Sequence, residues 1–199
     1  MDLKLIYGNM RALCEAPQMM LHYADIPYEY KMVWDHYGSS WAEVKKDIIF
    51  NRLPILIINE DKYLWQSNTI IRYLSNLTKT KPSDEFQLAY CDAVFESTHE
   101  MFSPLNPTIN MTFGEKYNSN KKKLLEDILP NSLNNFEKLL QNSSGNFFIG
   151  NDPFYCDFNA YHHFSMCLIL DKNIFSNFPN LKKFIKNFEK LNNIKNYLE

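Results

Sequence analysis

Two dipeptides in the stretch LPILIINEDKYLWQSNTIIRYL, residues 53–74, have the chemistry of a binding site. Leu53-Pro54 precedes an apolar run with the composition of a strand. An X-Pro bond adopts cis at small cost. A cis bond here turns the chain sharply and leaves the N–H and C=O of Leu53 facing outward, open to the backbone of an extended peptide. Ser67 opens an apolar helical segment whose first N–H groups have no partner within the helix, and such groups favour a carboxylate. Gln66, just before it, carries an amide suited to an amino-acid-like group. Each feature also has a plain structural reading: a proline on an edge strand and a serine that only caps its helix. Jointly they describe a site that grips a short peptide by its backbone and a carboxylate.

The elements that must position these residues are readable from periodicity. LKLIY (3–7) is a short apolar strand ending at a Gly8-Asn9 turn signal. From Arg11 to Ala24 apolar residues recur at helical spacing, with Pro17 in the first turns. YEYKMV (28–33) alternates as a strand, and Trp41 to Ile49 reads as a short helix capped by Ser39 or Ser40. PILII (54–58) and KYLW (62–65) are strands across a turn at 59–61, and Ser67 to Asn76 is a helix. The order βαβαββα alternates as α/β domains do. Residues 78–84 have a linker's polar, Pro82-containing composition. Beyond them only helical patterns follow: 85–112, 119–141 with Pro130 tolerated, an all-round apolar 154–170 that must be central, and two short amphipathic helices over 180–198. The expected organisation is an α/β domain over 1–77, the linker, and an all-α domain over 85–199.

Bulk properties narrow the function. The 199 residues are 45% hydrophobic with a net charge of −2, so composition points to no polyanion or membrane partner. Lys121, Lys122 and Lys123 form a short, isolated basic triplet, read as a solvated helix face. Cys14, Cys91, Cys156 and Cys167 make no CxxC pair, no signal-peptide pattern opens the chain, and no apolar run is long enough for a membrane helix. A soluble, cytoplasmic protein is expected. Cys156, His163 and Cys167 share a helical face, yet a metal site wants a fourth ligand and usually a second element, so they read as buried structural residues and no metal is expected. Cys14 likewise reads as a small buried hydrophobe. His162 and His163 have no serine or carboxylate at a triad spacing, and no phosphate-binding glycine motif occurs.

The stretch 53–74 resembles the glutathione-binding signature of the cytosolic glutathione transferases, an X-Pro before the third strand and Gln-Ser opening the third helix. LIYGNMRALCEAP (5–17) resembles the first strand and helix of the sigma class, which typically reads Tyr-Phe-Asn-Met-Arg-Gly-Arg-Ala-Glu; Asn9-Met10-Arg11 and Glu15 carry that match. WAEVKKDIIFNRLP (41–54) has the class's Trp…Lys spacing, and DAVFESTHEMF (92–102) and LLEDILPNSLNNFEKLL (124–140) resemble its fourth and fifth helices. The resemblance covers the whole chain and is strongest over 1–75. It implies a thioredoxin-like N-terminal domain, an all-helical C-terminal domain, glutathione as co-substrate and a homodimer with a role in detoxification.

By that resemblance Tyr7 matches the catalytic tyrosine, whose hydroxyl donates to the glutathione sulfur and lowers its pKa, so that the thiolate attacks an electrophile. Trp41 and Lys45 match residues at the glycine end, with Lys46 as a substitute. Leu53 and Pro54 match the backbone contact to the cysteinyl unit, and Gln66 and Ser67 match the γ-glutamyl contacts. Glu100, from the partner subunit, matches the acid that reaches the γ-glutamyl amine, with Glu96 nearby. The acceptor, a small apolar electrophile, would lie beside Gly8, Leu13, Met101 and Leu105. Three departures stand out. Leu13 replaces a class arginine that assists the thiolate, and Gly8 replaces an aromatic, which widens the acceptor side. Phe154 breaks the family's Ser/Thr-x-x-Asp helix start before Asp157; Asp152 would cap instead, with Pro153 at the first helical position. Sigma-class relatives include prostaglandin isomerases, so isomerisation stands beside conjugation. The rival readings are a non-catalytic transferase-like scaffold and a binder of apolar ligands without turnover.

Overall fold

The computed structural model describes residues 1–199. Its first strand, β1 (Leu3–Tyr7), is covered on both faces: Leu3, Leu5, Ile6 and Tyr7 are all buried. A strand walled in on both sides must be apolar throughout rather than alternating. β2 (Glu29–Met32) pairs with it in parallel, and β3 (Ile55–Ile58) pairs with its other edge antiparallel, with β4 (Lys62–Trp65) beyond. The sheet order is β2-β1-β3-β4. α1 (Glu15–Tyr23) makes the crossover between the parallel strands. α2 (Val33–Tyr37), α3 (Trp41–Val44) and two 3₁₀ turns (Lys45–Asp47, Ile49–Asn51) join β2 to β3, and α4 (Ser67–Leu77) closes the series.

Three boundaries in this part differ from periodicity, each for a local reason. The helix expected from Arg11 begins only at Glu15, because the Leu13 N–H turns to the Tyr7 hydroxyl and the Arg11 guanidinium folds onto the Glu15 carboxylate. The expected strand over 28–33 stops at Met32. Val33 starts α2, which ends at Gly38 with φ +67°, a conformation that glycine adopts without steric cost. The helix expected over 41–49 is α-helical only to Val44. Ile48 turns extended (φ −94°, ψ 127°), and its buried side chain joins Ile6, Val33, Ile55 and Ile57. The start of α3 is firmly capped. The Glu43 carboxylate takes the Ser40 N–H at 3.0 Å and the Ser40 and Ser39 hydroxyls at 2.7 and 2.6 Å, and these donors hold its pKa down at about 2.

The chain forms two compact units, Met1–Lys81 with Glu199, and Pro82–Leu198. The second is helical: α5 (Glu85–Met111), α6 (Gly114–Lys123), a π-helical turn (Leu124–Ile128), α7 (Leu129–Asn142), α8 (Tyr155–Leu170), α9 (Pro179–Glu189) and α10 (Asn192–Leu198). Pro130 explains the π turn. It has no N–H for the Glu126 carbonyl and its ring crowds that position, so the preceding turn widens and the Leu129 N–H reaches back to Leu124. α8 is the central helix, buried from Tyr155 to Phe164 without a break. It packs along α5, to which the buried Asn159 side chain is joined by Nδ2 donating to Thr98 Oγ1 at 2.9 Å.

The start of α8 corrects one expectation. The N-cap residue is Phe154, in extended conformation, and Pro153 and Asp152 lie outside the helix. Phe154 offers no acceptor side chain, so only the return half of the capping box exists: Asp157 takes the Phe154 N–H at 2.8 Å. Its other oxygen takes the Phe148 N–H at 3.1 Å, tying the preceding loop to the helix. Burial drives this carboxyl up to about 7 despite those donors.

Candidate functional site

Strand register decides which residues meet. Ile6 lies opposite Ile55, and Ile55 lies opposite Trp65. The residues just past these pairs therefore share one end of the sheet: Tyr7 at the end of β1, Leu53-Pro54 before β3 and Gln66-Ser67 after β4. The Leu53-Pro54 bond is cis. Gln66 has φ +69° and ψ 120°, a left-handed conformation costly for a residue with a side chain. It turns β4 abruptly into α4, so that the helix begins at the strand end itself. Ser67 is its first residue and is buried, and the Gln66 side chain makes no cap bond, which leaves the first α4 N–H groups without a cap from it. These N–H groups and the helix dipole form an anion-favouring corner.

Tyr7 is 7% exposed. Its hydroxyl accepts the Leu13 N–H at 3.3 Å, and no protein group accepts its proton. Burial raises the phenol to about 12, the Leu13 N–H opposing the shift. At neutral pH it is therefore a protonated donor with no protein acceptor of its own, largely buried from solvent. Leu13 acts here through its backbone, and its side chain brings no charge. Gly8, the next residue along, has no side chain, and its carbonyl accepts the Tyr30 hydroxyl at 2.7 Å. Arg11 reaches back to the buried Glu15 carboxylate, Nη2 at 2.6 Å and Nε at 2.8 Å.

Trp41 and Leu53 pack against the same apolar cluster as Val44 and Trp65, which brings the start of α3 to the Leu53-Pro54 corner. Lys45 and Lys46 follow in the 3₁₀ turn and are exposed. Tyr7, Gly8, Leu13, Trp41, Lys45, Leu53, Pro54, Gln66 and Ser67 thus all belong to the first unit. Glu100, Met101 and Leu105 lie on α5 in the second; Glu100 is exposed and the other two are buried. Cys156, His163 and Cys167 are buried within α8. Three contributors escaped sequence reasoning: the Leu13 N–H, the Arg11–Glu15 pair and Tyr30. The pair had a signal in its i, i+4 spacing. Tyr30 had one in the alternation of β2, which puts it on the face of the sheet that carries Leu5 and Tyr7. A backbone N–H turned out of a helix start has none.

The chain matches the family models of the glutathione S-transferase N-terminal domain over residues 1–76 and of the glutathione S-transferase C-terminal domain over residues 99–199. It is 29% identical over 202 aligned positions to a glutathione S-transferase P of Caenorhabditis elegans, spanning 100% of this chain and 92% of that one. It is 31% identical over 166 positions to a glutathione S-transferase of Plasmodium yoelii yoelii, spanning 81% and 76%. Among solved structures, the Pi-class glutathione S-transferase of Onchocerca volvulus superposes with a TM-score of 0.87 at 26% identity, covering 100% of this chain and 92% of that one. With both domain models matched in order and relatives on either side of 30% identity aligned over three quarters or more of their length, the chain belongs to the glutathione S-transferase family.

Proposed function

We propose that the protein activates the thiol of glutathione with Tyr7 and transfers it to small apolar electrophiles. The observation that carries this reading is the Tyr7 hydroxyl: buried, protonated, braced by the Leu13 N–H and with its proton unclaimed, at the sheet end shared with cis Leu53-Pro54 and the start of α4. Donated to a sulfur, that proton stabilises the thiolate over the thiol and brings its pKa down from about 8.5 toward neutrality. In this reading Leu53 pairs by its backbone with the cysteinyl unit. Gln66, Ser67 and the α4 N-terminus hold the γ-glutamyl carboxylate, and Trp41 and Lys45 hold the glycine end. Gly8 and Leu13 put no charge beside the sulfur, which suits an apolar acceptor. The functional unit is a homodimer in which Glu100 of the partner subunit meets the γ-glutamyl amine.

The test is glutathione binding by calorimetry, paired with a conjugation assay on wild type and Tyr7→Phe. Binding with turnover that collapses in Tyr7→Phe supports the reading. No binding at millimolar glutathione overturns the transferase reading and favours a scaffold. Binding with turnover indifferent to Tyr7→Phe overturns the mechanism while leaving the ligand. A monomeric mass at micromolar concentration removes the role of Glu100.

A further inference from the structure

We propose that Tyr30 is a positioning residue for Tyr7, holding the Gly8 carbonyl and thereby fixing the strand end from which the Tyr7 hydroxyl is presented. The inference rests on the reading of Tyr7 above. The parallel ladder between β1 and β2 pairs Leu5 with Tyr30 and ends at the pair Tyr7–Met32, because the chain leaves β2 for α2 at Val33. Gly8 is thus the first residue beyond the ladder. It also has no side chain to pack: a Cβ built there meets only Met10 Cε, at 3.8 Å. A glycine directly after the catalytic tyrosine, outside the sheet, gives the chain its greatest freedom where placement matters most. Tyr30 supplies the missing restraint. Its ring stands on the same sheet face as Tyr7, and its hydroxyl reaches forward along the strand direction to the Gly8 carbonyl at 2.7 Å, the usual length for such a bond. Burial raises its phenol, so it stays a donor wherever the thiol chemistry runs.

The neighbouring Tyr28 provides a control within the same segment. Its hydroxyl goes to Gln18 Oε1 at 3.1 Å, on α1 and away from the strand end. Geometry at the reacting atoms is steep in its effect on rate, so Tyr30→Phe is expected to lower kcat with an aryl chloride by about five- to tenfold at saturating glutathione. The apparent pKa of the pH–rate profile rises with it, while glutathione affinity by calorimetry stays within about twofold because Leu53, Gln66 and Ser67 are untouched. Tyr28→Phe keeps the wild-type kcat and profile. In the Gly8→Ala background, where the backbone is stiffened without a clash, the effect of Tyr30→Phe shrinks. A Tyr30→Phe protein with wild-type kcat and profile, or one that loses only thermal stability, overturns the positioning role. Tyr7→Phe measured alongside separates the two readings. Loss in Tyr7→Phe without loss in Tyr30→Phe sinks only the role of Tyr30, and loss in neither sinks both.

Discussion

Replacing Tyr7 by phenylalanine removes one hydroxyl and nearly nothing else, so its consequence can be worked from the geometry. On the proposed mechanism the lost interaction is a hydrogen bond to a charged acceptor, the bound thiolate, worth about 1.5–3 kcal/mol. At 1.36 kcal/mol per unit this raises the bound thiol's pKa by about one to two units. Below the wild-type thiol pKa the rate therefore falls about tenfold to a hundredfold, in proportion to the lost thiolate. The deficit must close with alkalinity. Tyr7 itself titrates only at about 12, so it remains a donor while the thiol ionises, and the profile reports the thiol alone. Well above both thiol pKa values each enzyme carries thiolate, and the rates converge to within the intrinsic difference in nucleophilicity. The assay is single-turnover conjugation across pH, with ultraviolet thiolate absorbance of the binary complex as an independent titration. A structural cost accompanies the substitution, since the Leu13 N–H loses its acceptor. Left unsatisfied it costs about 1–3 kcal/mol, or several degrees in Tm for a chain of this size. Thiolate titration curves that superpose, or a rate deficit equal at every pH, would refute the argument.

Other outcomes follow from the same structure. If Ser67 holds the γ-glutamyl carboxylate as proposed, Ser67→Ala raises the glutathione Kd about tenfold with little change in kcat, by removing one donor while leaving Tyr7 in place, as calorimetry and steady-state kinetics will register. Asp157→Ala orphans the Phe148 and Phe154 N–H groups and lowers stability by about 2–3 kcal/mol, a Tm loss of about 4–12 °C by calorimetric scan. The folded Asp157 carboxyl sits at about 7, above its unfolded value near 3.9. Its contribution is therefore full below about pH 4 and is lost as pH rises through 7, and the wild type's margin over Asp157→Asn narrows over that range. His163 shows the opposite sign. Burial, with His162 and His99 nearby, holds its pKa well below 6.5. The stability it contributes is present above about pH 6.5 and lost as pH falls, so His163→Leu flattens the acid limb of Tm against pH. An acid limb identical in wild type and variant would remove His163 as its cause.

What the sequence by itself determined lies in patterns that short-range physics enforces. The apolar runs of β1 and β3, the capping serine before Trp41, the X-Pro and Gln-Ser dipeptides and the stripes of the helical unit each follow from local propensity or periodicity, and each was legible without coordinates. Element ends were less so, because tertiary partners move them. Arg11–Leu13 leaves its helix for Glu15 and Tyr7, Ile48 leaves its helix for the core beneath the sheet, and Pro130 inserts a π turn into an otherwise continuous stripe. Only the tertiary structure decided that Tyr7, Leu53-Pro54 and Gln66-Ser67 share one end of the sheet, since that depends on strand register, a long-range pairing invisible in any one segment. It alone decided that the Tyr7 hydroxyl receives a backbone N–H and keeps its own proton to give. It alone brought Tyr30, 22 positions beyond Gly8 in the chain, onto the carbonyl next to it. Residue types announce which chemistry is available; the pairing of strands sets which groups are close enough to perform it.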